Sequence, residues 1–125
     1  MILGLGSDLA EVARIRASRE RFGERFLKRI YTETEIAYSL AKANIDERLA
    51  ARFAAKEAGM KALGTGLSAG VTWRDFAVDR EPSGKPTLIF SGAAAHIAAQ
   101  FGVRKVHLTL AHTVELAMAF VVIED

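Results

Sequence analysis

Residues 47–63 constrain the fold most. The stretch is rich in alanine, the strongest helix former, whose small side chains leave a smooth surface for close packing. A helix over these residues, with Asn44 or Asp46 as its cap, presents Leu49, Phe53 and Met60 as packed positions. Gly64-Thr65-Gly66 ends it and permits close backbone approach by a ligand. Within it, Glu57 and Lys61 stand four residues apart, about 400° of rotation and about 6 Å of rise, so they share a face. Two readings compete: a solvated ion pair worth about 0.3–0.5 kcal/mol, or an acid and a base aimed at a ligand.

The chain begins Met1-Ile2-Leu3-Gly4-Leu5-Gly6-Ser7-Asp8-Leu9, an apolar run that reads as a buried strand. Its glycines mark close approach of another backbone or a ligand. Asp8 at its end either caps the helix that follows from about Glu11 or joins Glu57 beside Lys61. The second arrangement suits a hard cation. Mg²⁺ is usually held by one or two carboxylates plus substrate phosphates, and a lysine serves phosphate as a point charge. Phosphoryl-type transfer is the chemistry such a set can support.

Along the first helix, Val12, Ile15, Phe22, Phe26 and Ile30 are spaced as one apolar stripe that Gly23 bends or ends. Thr32-Glu33-Thr34-Glu35 has the spacing of a capping box before a short helix to about Ala41. Beyond Gly70 the pattern turns to strands. Residues 76–78 and 87–90 flank the turn Pro82-Ser83-Gly84-Lys85-Pro86 as a hairpin. Ser91 opens a helix over residues 92–101, stopped by Gly102. Two final strands, 106–111 and 115–123, meet at His112-Thr113-Val114. The last is nearly all apolar, which predicts a central strand covered on both sides or buried at a subunit contact. Helices mixed with antiparallel hairpins give an α+β domain over residues 1–125.

Half of the residues are apolar, which excludes a disordered chain. No apolar window is long enough for a transmembrane helix, and the N-terminal run meets Asp8 without a basic leader, unlike a signal peptide. With no cysteine there is neither a disulfide framework nor a thiolate nucleophile, and a cytoplasmic setting fits. The net charge is only +2, yet Arg14, Arg16, Arg19, Arg21, Arg25, Lys28 and Arg29 crowd the first helical region. Such a field steers an acidic partner, unless the helix pairs with itself. No nucleic-acid recognition motif accompanies it, so an acidic protein is the better match. A non-catalytic basic module, for an acidic protein or a nucleic acid, is the alternative to an enzyme.

Gly4-Leu5-Gly6-Ser7-Asp8-Leu9 with Arg14-Ile15, then Arg52-Phe53-Ala54-Ala55-Lys56-Glu57-Ala58 and Lys61-Ala62-Leu63-Gly64-Thr65-Gly66, together resemble the holo-[acyl-carrier-protein] synthase family. Gly84-Lys85-Pro86 and the closing Ala117-Met118-Ala119-Phe120-Val121-Val122-Ile123-Glu124 extend the resemblance over nearly the whole chain. It implies a 4'-phosphopantetheinyl transferase-like α+β fold, an antiparallel sheet on a long central helix, that trimerises with active sites between subunits. It also implies transfer of phosphopantetheine from coenzyme A to a serine of apo-acyl carrier protein in support of fatty acid biosynthesis. Asp8 and Glu57 would hold Mg²⁺, and Lys61 would add charge over the phosphates. The proton acceptor stays open between Glu57 and a water on the metal. Lys61, Gly64, Lys85, Arg52 and His112 become candidate contacts to coenzyme A, with a solvated turn lysine, a surface or interface ion pair, and completion of the turn as the alternatives for Lys85, Arg52 and His112. Thr109 and Ala111 depart from the family's serine-rich pattern before His112, and Ala111 lacks a hydroxyl. Acyl carrier proteins are acidic, so Arg14, Arg21 and Arg25 are the docking candidates.

Overall fold

The computed structural model describes residues 1–125. Its elements, in order, are β1 (Ile2–Glu11), α1 (Val12–Phe22), α2 (Glu24–Ile30), α3 (Glu33–Leu40), α4 (Ile45–Leu63), a short 3₁₀ turn (Trp73–Asp75), β2 (Phe76–Arg80), β3 (Pro86–Phe90), α5 (Gly92–Phe101), β4 (Lys105–His112) and β5 (Leu116–Glu124). An antiparallel sheet in the order β1-β5-β4 packs one face on α4, and β2-β3 form a separate hairpin. The expected α+β class and the helix-on-sheet layout are both present.

The close packing of α4 on β1 rests on glycine. A Cβ built on Gly6 would lie 2.2 Å from the carbonyl oxygen of Ala58, and one on Gly4 would lie 2.3 Å from that of Ala62. What approaches these glycines is therefore the backbone of α4. Because β1 alternates, Gly4, Gly6, Asp8 and Ala10 face the helix while Leu5, Ser7 and Leu9 face away. The glycine crossing thus carries Asp8 toward α4. Ala50, Ala54, Ala55 and Ala58 are fully buried along the helix, as their size allows.

The first helix ends at Gly23 (φ 54°, ψ −129°), as the glycine signals, and a second helix follows; the expected stripe is corrected, because Phe22 stays exposed while Leu27 joins Ile30 in the core. Two side-chain caps are corrected as well. Neither Asn44 nor Asp46 caps α4 through its side chain. The Asp46 carboxylate instead accepts from Arg19 at 2.7 Å and Arg16 at 3.1 Å, and the hydrogen bond from Arg19 holds it below its usual carboxylate range. Ser91 likewise does not cap α5 through its side chain; its hydroxyl donates to the Asp75 carbonyl.

The capping box at Thr32 and Glu35 is formed, yet Glu35 does more. Its side chain is buried, accepts from the Val78 amide at 2.8 Å and pairs with Lys56 at 2.7 Å. Lys56, also fully buried, donates to the carbonyls of Trp73 and Phe76. Burial pulls the Lys56 ammonium below its ordinary pKa while Glu35 pulls it back up. One buried ion pair so joins α3, α4 and the start of β2.

The last strand is central, as the sequence predicts, but within the chain only one of its faces is covered. Ala117, Ala119, Val121 and Ile123 pack inward, whereas Leu116 and Phe120 remain exposed. No helix is long and apolar enough to cross a membrane.

Candidate functional site

Lys61 Nζ donates to Asp8 Oδ1 and to the Ser7 carbonyl, each at 3.0 Å. The strand end and the helix face are thus joined, because at the glycine crossing the Lys61 Cβ itself lies close against Gly6. Ser7, Asp8, Leu9, Lys61 and Met118 line an open cleft of about 520 Å³. Lys61 is half exposed, so its pairing with Asp8 adds little stability and leaves the ammonium available to a ligand.

Glu57 stands one turn before Lys61 on the same face of α4. It does not pair with Lys61. Its Oε1 accepts the indole N–H of Trp73 at 3.0 Å, and Oε2 has no protein partner. Trp73 escaped the sequence reading because it lies 16 residues from Glu57 in a turn without periodicity. Its being the only tryptophan, just after the glycine-rich exit of α4, was the one available signal. Gly64 closes α4 in a left-handed conformation, with open space where its Cβ would stand.

A divalent cation suits these donors. Asp8 and Glu57 offer hard carboxylate oxygens, and no group of three or more His, Asp or Glu gathers anywhere in the chain. Two carboxylates completed by substrate oxygens and water are what Mg²⁺ commonly takes.

The remaining candidates lie elsewhere. His112, at the end of β4, hydrogen-bonds Glu47 at 3.0 Å, ten residues or about 15 Å along α4 from Glu57. Lys85 is exposed in the β2-β3 turn. Arg52 is only 4% exposed, with its guanidinium 4.5 Å from the centre of the Tyr38 ring and donating to the Arg48 carbonyl. It makes no ion pair, and its buried Nε has no hydrogen-bond partner. Burial lowers its pKa, with Glu35 opposing the shift. Lys42 and Arg80 also approach the Tyr38 ring, at 4.9 and 5.8 Å. Burial raises the Tyr38 phenol, but Arg80, Arg48, Arg52 and Lys42 outweigh it and leave it below its ordinary pKa.

On the basic helices, Arg16 and Arg19 are engaged by Asp46, and Lys28 pairs with Glu24 at 3.5 Å. Arg14, Arg21 and Arg25 make no ion pair. The break at Gly23 puts Arg21 and Arg25 on different helices, so their separation of four residues does not place them on one helical face. Arg14 and Arg25 border two adjoining hollows that share Ser18 and Phe26. Arg21 borders neither and lies 5.1 Å from the Phe22 ring centre.

An α+β chain with an acid–lysine cleft at a strand–helix crossing is the class to which the comparisons point: the sequence model of the 4'-phosphopantetheinyl transferase superfamily matches residues 4–121. The holo-[acyl-carrier-protein] synthase of Koribacter versatilis is 58% identical over 125 residues, covering all of both chains. The crystal structure of that enzyme from Neisseria meningitidis superposes with a TM-score of 0.91 at 34% identity, again over all of both chains. The Helicobacter pylori enzyme, solved in complex with coenzyme A, gives 0.84 at 28% identity over 96% of this chain and 99% of that one. The chain belongs to the holo-[acyl-carrier-protein] synthase family of this superfamily.

Proposed function

We propose that the chain, acting as one domain, transfers the 4'-phosphopantetheine group of coenzyme A to a serine hydroxyl of an acidic apo-acyl carrier protein. The observation that carries this reading is the convergence of Asp8 and Lys61 at 3.0 Å on an open cleft, with Glu57 on the same helical face. The serine oxygen attacks the phosphorus bearing pantetheine, the bond to the second phosphate breaks, and adenosine 3',5'-bisphosphate leaves. Positioning and charge neutralisation supply most of the catalysis in such transfers. Lys61 lays positive charge over the phosphates, and the open end of α4 at Gly64 admits the backbone-close part of the cofactor. Asp8 and Glu57 hold Mg²⁺, which when bound supplies neutralising charge to the pyrophosphate oxygens. The unpartnered Oε2 of Glu57 is available to the metal or to the serine proton. The reading includes a cytoplasmic setting and a role in fatty acid biosynthesis.

Arg52, Lys85 and His112 serve the nucleotide end of coenzyme A. Arg52, Lys42 and Arg80 already gather positive charge round Tyr38, which suits a phosphate. Lys61 and Arg52 are nine residues apart on α4, about 900° of rotation, and so point to opposite sides of a buried helix. On this reading a cofactor in the Asp8 cleft meets the Arg52 of another copy, as the family resemblance implies. The exposed sheet face carrying Leu5, Leu9 and Phe120 is an apolar surface for that copy. Three copies follow from the family resemblance, and a monomeric mass by sedimentation equilibrium would refute the assembly.

Intact-mass measurement of an apo-acyl carrier protein after incubation with this protein, coenzyme A and Mg²⁺ tests the reaction. A gain of one phosphopantetheine, lost with EDTA, is expected; no gain across several carrier proteins would reject it. Arg14 and Arg25 dock the carrier beside the hollows at Phe26. Arg14→Glu or Arg25→Glu should raise the KM for carrier protein roughly tenfold and leave that for coenzyme A unchanged. Equal losses for both substrates would remove these residues from docking.

A further inference from the structure

We propose that Trp73 is a positioning residue for Glu57, holding the carboxylate by one oxygen so that the other is presented to a divalent cation. The inference rests on the reading of Glu57 as a metal ligand.

A glutamate side chain has three rotatable bonds, and fixing it for a ligand costs conformational entropy unless something has fixed it already. The Trp73 indole does so with a group that donates and cannot accept, so its bond to Oε1 serves the carboxylate alone. The indole is itself held from several directions. It stacks on Phe53, with ring centres 6.5 Å apart and planes at 26°. Phe53 precedes Glu57 by one turn of α4, so a single helix fixes both the ring's platform and the carboxylate. The Arg29 guanidinium of α2 lies 5.5 Å from the indole centre. The Trp73 carbonyl accepts from the buried Lys56 ammonium at 3.2 Å, which ties the 3₁₀ turn to the residue beside Glu57. Partners of this kind orient the ligands of metal sites, and their loss commonly lowers metal affinity about 10–100-fold.

Trp73 is the only tryptophan, so the emission of the intact protein reports on this contact directly. Mg²⁺ alone, added to the wild-type chain, should change that emission saturably, and Glu57→Gln should abolish the response. Trp73→Phe keeps a ring for Phe53 to stack on and removes only the N–H donor. Calorimetric titration of this variant with Mg²⁺ should give a Kd raised on the order of 10-fold. The Mg²⁺ concentration for half-maximal transfer should rise in parallel, with kcat recovered at saturating Mg²⁺ and a melting temperature close to wild type. A purely structural tryptophan would lower kcat or the melting temperature without moving the Mg²⁺ dependence. Wild-type Mg²⁺ affinity in Trp73→Phe, beside a wild-type chain that binds Mg²⁺ and loses it with Glu57→Gln, would overturn the positioning role alone. Mg²⁺ binding that survives Glu57→Gln would overturn both this role and the assignment of Glu57 as a ligand.

Discussion

Asp8→Asn or Glu57→Gln is expected to lower Mg²⁺-dependent transfer on the order of 100-fold or more while the chain stays folded. Both changes keep the size of the side chain and remove only its charge. Asp8→Asn also weakens the contact with Lys61, but that lysine is half exposed, so the fold loses little. Glu57→Gln keeps an oxygen able to accept from Trp73, so the indole retains its partner. Initial rates by intact mass, measured across a range of Mg²⁺ concentrations beside a thermal melt, separate the two effects. A variant with wild-type rates would remove that residue from the site. A variant that melts early would show that its charge serves the fold.

Lys56→Met is expected to lower stability by about 3–5 kcal/mol. It leaves the Glu35 carboxylate buried without its counter-charge and the carbonyls of Trp73 and Phe76 without their donor. Combining it with Glu35→Leu removes the stranded charge and should recover part of the loss, since exchanging a buried pair for apolar groups is often close to neutral. Recovery will be incomplete because Glu35 also accepts from the amides of Val78 and Thr32. Urea unfolding of the two variants measures both numbers. A Lys56→Met protein within about 1 kcal/mol of wild type would show that water or a rearranged partner replaces the pair.

The contrast between these two lysines shows where local sequence stops being informative. Lys56 and Lys61 lie five residues apart on one helix, yet one is sealed in the core and the other borders an open cleft. Spacing correctly put Glu57 and Lys61 on one face, and left open whether they pair with each other or face a ligand. In the structure each is claimed by a residue distant in sequence, Glu57 by Trp73 and Lys61 by Asp8. Glu35 illustrates the same limit: its capping box was legible because both partners lie within one turn, whereas its link to Lys56 crosses between elements. The two-helix break at Gly23 was signalled by the glycine itself. The side to which the chain turned was not, because a glycine admits several φ/ψ regions and its presence alone does not select one.

What the sequence determined by itself were the features carried by short-range physics. Alanine and apolar periodicity specify the helices, with the Thr32–Glu35 capping box marking one start, alternating or continuous apolar runs specify the strands, and the order of the Gly-Asp and Lys-Glu blocks specifies the family. Tertiary structure alone decided how those pieces meet. The glycines of β1 admit the backbone of α4, and that one close crossing brings Asp8 to Lys61. It also turns Arg52 away from them, since a helix pinned by one face must present its opposite face elsewhere. Contacts between residues far apart in the chain depend on which surfaces can approach closely; Gly4 and Gly6 marked that something approaches, and only the fold shows that it is α4.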